Sequence, residues 1–323
     1  MGRYLVRRLL LLVPVMLGAA TIAFALVLFL PGDPAIALLG QEVSGAELAR
    51  FRHLLGLDRP IPVQLGLYFL RIARGDFGQS VTLHTPVLGL ISSTLPATLE
   101  LAVASLVLAV GCGIPLGVFA ARRRGRFLDT VAMLVAQLGV SIPVFWLGVL
   151  LILLFAVKLN WLPSFGRGAP LIAGILTGNL AGLTDSLRHL LLPAVTLAFF
   201  NLALLSRVTR WALLEVLEED YVRTARAKGQ RERIVLTRHA LRNALLPVVT
   251  IVGLQFGSAL GGAVVTETIY GWPGMGRLVV QAIGQRDFPV VQGAVLVLAL
   301  LFSLVNGVVD LLYAFIDPRI RYE

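Results

Sequence analysis

The chain has 323 residues, 57% hydrophobic and 14% charged, with a formal net charge of +10 and a mean hydropathy of +0.86. Composition this apolar and this poor in charge excludes an ordinary soluble domain and describes a protein that crosses a membrane several times. The cation excess is not a nucleic-acid signature, because Lys158 and Lys228 are the only lysines and the arginines cluster between apolar runs, as topology signals do. Cys112 stands alone in an apolar run, which excludes a disulfide framework and a multi-cysteine metal site.

Arg3, Arg7 and Arg8 precede an apolar run from Leu9 to Leu30. The pattern imitates a secretory signal, but 22 residues at ~1.5 Å each cover a ~30 Å hydrocarbon core. An uncleaved first span over residues 1–30 is therefore expected. Residues 31–95 should form a small external helical cap. Ser44 and Glu47 make a capping box ahead of Leu48, Phe51, Leu54 and Leu55, with Gly56 closing that helix. A second helix starts near Pro62 and closes at Gly75, with Leu65, Tyr68, Phe69 and Ile72 as its apolar stripe. Such stripes point to mutual packing before they point to a ligand.

Five further spans complete a core over residues 96–315: Pro96 to Ala121, Thr130 to Val157, Leu190 to Ser206, Leu245 to Thr266 and Pro289 to Phe315. Six spans put both termini on one side. If that side is the cytoplasm, it holds 18 of the 28 cations, from Arg3, Arg7 and Arg8, the run Arg122 to Arg126, loop 207–244, and the tail 316–323. The opposite orientation would reverse the positive-inside bias.

Polar residues inside the spans are few: Gln137, Ser141, Asn201, Gln255, Ser258 and Asn306. Lipid satisfies none of them, so they face protein or a water-filled path; lining a translocation path and bonding helix to helix are both open. Glu100, Glu267 and Asp310 sit near span ends, where charge is cheaper than at the midplane, as interfacial groups or ion-pair partners. Pro143 and Pro193 remove backbone donors within spans and are candidate kinks.

No Walker A, G-x-S-x-G or H-E-x-x-H pattern occurs, and His53, His84, His189 and His239 lack metal-ligand spacing. The chain has no visible catalytic machinery. Its most informative stretch is Tyr221 to Thr250, an arginine-studded segment with Gly229 in its middle, which supplies a turn between two short helices. Val222, Ala225 and Arg226 share a helical face, and small Ala225 and Ala227 permit close approach of a partner. Docking to another subunit and binding to anionic lipid both fit this segment on physical grounds.

RTARAKG (Arg223 to Gly229) followed by RHALRNALLP (Arg238 to Pro247) resembles the coupling loop of the bacterial oligopeptide/dipeptide/nickel ABC-importer permeases. The resemblance extends in the family's order through GLDRP, GDFGQS, LPATLEL, TETIYGWPGMG and the terminal DPRIRYE. Against the general importer pattern of EAA, three residues and G, the loop keeps Ala225 and Gly229 but has Arg223 and Thr224 in place of the first two letters. His239, Leu241 and Arg242 depart from the expected I-x-L-P.

The resemblance implies an all-helical, six-span integral membrane protein of the type I importer-permease kind, residing in the bacterial inner membrane. It implies an ATPase-coupling set of Val222, Arg223, Thr224, Ala225, Arg226, Ala227, Lys228 and Gly229. It also implies an external gate within loop 267–288, formed by Glu267, Tyr270, Gly271, Trp272, Pro273 and Gly274, against which a plain external hairpin stands as the simpler form. Implied partners are a second homologous permease in a heterodimer, two ATPase subunits carrying ATP and Mg, and a periplasmic or lipid-anchored solute-binding protein. No cofactor is expected on this chain. The solute would be a short peptide or a related small molecule. An ion-coupled secondary transporter is the competing class, which would be expected to carry intramembrane carboxylates near the midplane.

Overall fold

The computed structural model describes residues 2–29, 44–55 and 58–316. They form helices α1 (Gly2–Phe29), α2 (Gly45–Leu55), α3 (Ile61–Ala73), α4 (Val87–Arg122), α5 (Phe127–Ser141) and α6 (Val144–Leu151). Then come α7 (Leu171–Thr177), α8 (Leu180–Leu217), α9 (Asp220–Ala227), α10 (Leu241–Ile269), α11 (Met275–Gly284) and α12 (Phe288–Ile316). A π-helical stretch Ile152–Lys158 prolongs α6, and a turn Glu232–Ile234 with a second π-helical stretch Val235–Ala240 leads into α10. Among the described residues no strand occurs beyond one isolated bridge between Gln79 and Pro86. Five helices are long and apolar enough to cross a membrane, or six if the bent pair α5–α6 is one span. The fold is an all-helical, multi-pass integral membrane architecture, as the composition requires.

The chain divides into two compact units, residues 1–97 with 273–304 and residues 98–272 with 305–323. In the first unit, α3 follows Pro60 and carries Pro62 in its first turn, where a proline's fixed φ suits a helix entry; it is capped at Arg74, with Gly75 at φ +75 beyond it. Tyr68 of α3 is buried against Ala20 and Phe24 of α1. A second cluster joins Val87 and Ile91 to Met275, Ala282, Val290, Val291 and Ala294. Asp287 knits the loops of this unit, accepting from Ser80 Oγ at 2.5 Å, Thr82 Oγ1 at 2.9 Å and Thr82 N at 3.2 Å. α2 begins just after Ser44, as expected, whereas Gly56, the Glu47 and Asp310 side chains and the DPRIRYE tail lie outside the described residues.

The second unit is built around α8. Its 38 residues make a rod of about 57 Å, longer than the apolar stretch Leu190 to Ser206 suggests, because the helix continues through polar sequence at both ends. Small residues bring its neighbours close: Gly113 and Gly117 of α4 lie against Leu202, Ser206 and Thr209, and Gly139 of α5 lies against Ala203. Pro193 is accommodated inside unbroken α8. Pro143 is not: the expected single span from Thr130 to Val157 is two helices bent by 105°. The residue before a proline is pushed out of the helical region, and Ile142 is extended at φ −79, ψ 124.

One end of this unit is basic. There the end of α4, the end of α8 and the start of α10 share a cluster of Ala121, Ala212, Leu213, Leu236, Ala240 and Ala244. Asp129, at the start of α5, accepts from Arg210 Nε at 2.7 Å and Nη2 at 2.8 Å, and from Gly125 N at 3.0 Å.

Candidate functional site

At the basic end, α8 stops at Glu218, and Glu219 is extended before α9 begins. Arg124 donates to Glu218 at 2.5 Å, and that bond lowers the Glu218 carboxyl below its ordinary range. α9 is one short amphipathic helix whose inward face is Val222 and Ala225, packed with Val235 and flanked by Val216 and Leu217. Gly229 follows at φ +75, a left-handed turn that a Cβ would disfavour. Arg226 reaches back across this turn, donating to Glu232 through Nε at 3.2 Å and Nη2 at 2.9 Å. That fork raises the Arg226 pKa further.

Of the two small residues expected to permit close approach of a partner, Ala227 is exposed and Ala225 is buried. Ala225 and Val222 are buried against the chain's own helices. The open face of α9 carries Arg223, Thr224, Arg226 and Ala227, with Lys228, Gly229 and Gln230 exposed beyond it. Helical spacing identified residues that share a face but not which face turns inward.

At the opposite end of the same unit Glu267, Tyr270 and Trp272 are all buried. Glu267 accepts from Thr98 Oγ1 at 2.6 Å. The Tyr270 hydroxyl meets Thr196 Oγ1 at 2.8 Å and donates to the Gly148 carbonyl at 3.2 Å, while Gly166 N donates to Tyr270 O at 2.8 Å. Gly271, at φ +59, turns the chain after α10. Arg167 stacks 5.9 Å from the Trp272 ring centroid and pairs with Glu100, whose side chain is 6% exposed. Pro273 is exposed and Gly274 caps α11. Of the segment 267–274, Glu267, Tyr270, Trp272 and Gly274 are buried, whereas Thr268 and Pro273 are exposed.

The polar span residues fall into separate sets. On α5, Gln137 and Ser141 are exposed one turn apart; Ser141 Oγ donates to the Gln137 carbonyl at 3.1 Å and Arg207 Nη1 to Gln137 Oε1 at 3.0 Å. Asn201 is buried on α8. On α10, Gln255 is buried and Ser258 Oγ donates to its carbonyl at 2.9 Å. Among the described residues no hydrogen bond joins one set to another.

Sequence reasoning missed Glu232, Tyr221 and Asn243, which fasten α9, and Arg167. Glu232 had a signal: it is the only acid between Arg223 and Arg242. Tyr221–Asn243 and Glu100–Arg167 join positions far apart in sequence and had none. Among the described residues no cluster of three or more His, Cys, Asp or Glu side chains could hold a metal.

Fold and site together define a helical membrane transport body. Residues 113–322 match the family described as binding-protein-dependent transport system inner membrane component, and residues 1–102 match its N-terminal counterpart. The dipeptide transport system permease protein DppB of Alkalihalophilus pseudofirmus is 42% identical, with 99% of each chain covered. The di/tripeptide permease DppB of Pseudomonas aeruginosa is 44% identical, again with 99% of each chain covered. The glutathione transport system permease protein GsiC of Salmonella typhimurium is 43% identical over the whole of both chains. The MetNI methionine ABC transporter in an inward-facing conformation shares the fold at a TM-score of 0.57 and 19% identity, covering 71% of this chain and 97% of that one. The chain belongs to the binding-protein-dependent inner membrane permeases, in their dipeptide/oligopeptide branch. It is a non-enzymatic subunit of an ABC importer, a system that works with separate ATPase subunits and a binding protein.

Proposed function

We propose that the chain is one half of a heterodimeric permease that imports short peptides or a closely related small solute by alternating access. Two ATPase subunits, holding ATP and Mg, drive the cycle through residues 222–229. The observation that carries this reading is the division of α9 into an anchored face, Val222 and Ala225, and an open face, Arg223, Thr224 and Ala227, continued by exposed Lys228 beyond the helix. A helix so mounted is held by its own chain and free to engage another. Peptide-class solutes are supported by the relatives named for dipeptide, di/tripeptide and glutathione transport.

In this reading the basic end is cytoplasmic with both termini, and residues 31–95 form the periplasmic cap that meets a periplasmic or lipid-anchored solute-binding protein. Glu267, Tyr270, Gly271, Trp272, Pro273 and Gly274 close the outer mouth, a role supported by the burial and polar bonding of Glu267, Tyr270 and Trp272. Gln137, Ser141, Asn201, Gln255 and Ser258 contribute to the path.

Reconstitution in liposomes tests the proposal. Alone, the chain should neither accumulate dipeptide nor hydrolyse ATP. With the second permease, the ATPases and the binding protein, uptake should stop without ATP and persist when proton and sodium gradients are collapsed. Gradient-driven accumulation by the chain alone would overturn it.

A further inference from the structure

Resting on the assignment of residues 222–229 to the ATPase contact, we propose that the loop is braced to α10 and hinged at α8. Tyr221, Glu232 and Asn243 are then positioning residues that hand displacement of α9 to α10. The two sides of α9 are attached in different ways. Toward α8 the junction is the extended Glu219, and among the described residues no side-chain hydrogen bond links 180–217 to 220–227. What remains there is apolar contact with Val216 and Leu217, and such contact is non-directional and tolerates sliding.

Toward α10 the attachment is directional and doubled. In the first turn of α9 the Tyr221 hydroxyl accepts from Asn243 Nδ2 at 2.7 Å and donates to the His239 carbonyl at 3.5 Å. In its last turn Arg226 holds Glu232 through two N–H donors, a planar fork that fixes orientation as well as distance. The two anchors stand about 7.5 Å apart along the helix, so they resist rotation as well as translation. Both ion-pair partners are substantially exposed, and an exposed pair adds little stability; its value here is geometric. Between the anchors lies the π-helical stretch Val235–Ala240, a feature that recurs at functional sites in helices. Buried Val222, Ala225 and Val235 fill the angle between brace and loop.

The test uses the complete reconstituted importer in a Cys112→Ser background, with pulsed-EPR distances measured without nucleotide and after ATP turnover in the presence of vanadate, which traps ADP and vanadate on the ATPases. One spin-label pair, Asp220→Cys with Thr237→Cys, spans the brace; another, Asp220→Cys with Trp211→Cys, spans the hinge. The brace distance should hold while the hinge distance shifts. Equal shifts in both, or a shift confined to the brace, would overturn the proposal while leaving the ATPase contact standing; no shift in either would count against that contact itself. Separately, Tyr221→Phe combined with Asn243→Leu, and Glu232→Gln alone, should raise ATP consumed per solute severalfold while the ATPases still co-purify. Glu232→Asp should stay near wild type. Unchanged stoichiometry in assembled variants would refute the brace, and the label distances decide the matter where a variant fails to assemble.

Discussion

At the scale of single residues, Gly229 concentrates the demands of the loop. Its φ of +75 is left-handed, yet a Cβ placed there would meet nothing within 4 Å. The constraint is conformational rather than steric, and a β-branched residue is strained there by roughly 1–2 kcal/mol. Gly229→Val should insert and pair with its permease partner but lose the register of Arg226 on Glu232, so that ATP hydrolysis proceeds with little uptake. Gly229→Asn should fall between, because asparagine tolerates the left-handed region. Parallel uptake and ATPase assays in proteoliposomes check the order. Wild-type coupling in an assembled Gly229→Val complex would show that the turn does not need a glycine.

Among elements, the decisive contact is that of α4 with α8. A Cβ on Gly117 would lie 2.5 Å from the Ser206 carbonyl oxygen and 2.6 Å from Thr209 Cβ, so even Gly117→Ala forces the helices apart. Overpacking of this kind costs about 1–3 kcal/mol. Thermal unfolding in detergent should show a clear loss for Gly117→Ala and little for Gly111→Ala, where nothing lies within 4 Å. Most elements were legible in the sequence because apolar runs and Gly or Pro punctuation are local signals. The α3 entry near Pro62, the turn at Gly75 and the turn at Gly229 all follow from such signals. The break at Pro143 was less so: the apolar run continues through it, and composition reads one span where backbone geometry makes two helices. The inward face of α9 escaped because amphipathicity has no sign until a neighbour is known. Glu100–Arg167 escaped because a pairing across 67 residues leaves no local trace.

For the whole molecule, the bent pair α5–α6 decides the parity of the crossings and therefore the placement of the termini. Within the second unit α5 starts at the basic end, where Asp129 holds Gly125 and Arg210. The chain beyond α6 finishes at the other end, where Gly148 and Gly166 bond Tyr270 and Arg167 pairs with Glu100. The pair traverses this unit once, bend included, and on that ground we propose that it is one span. Counted with the five long helices it gives the proposed six, an even number, and in that proposal the two termini share one side. The charge distribution then chooses the side: in the six-span proposal 18 of the 28 cations belong to the side of the termini, and cations accumulate in the cytoplasm. Reporter fusions after Arg124 and at the C-terminus should therefore read cytoplasmic, and fusions near Arg59 and Gly166 should read periplasmic. A periplasmic C-terminus with Arg124 still cytoplasmic would mean that parity is odd and that α5–α6 re-enters without crossing. A periplasmic Arg124 would remove α9 from reach of any ATPase and with it the proposed coupling.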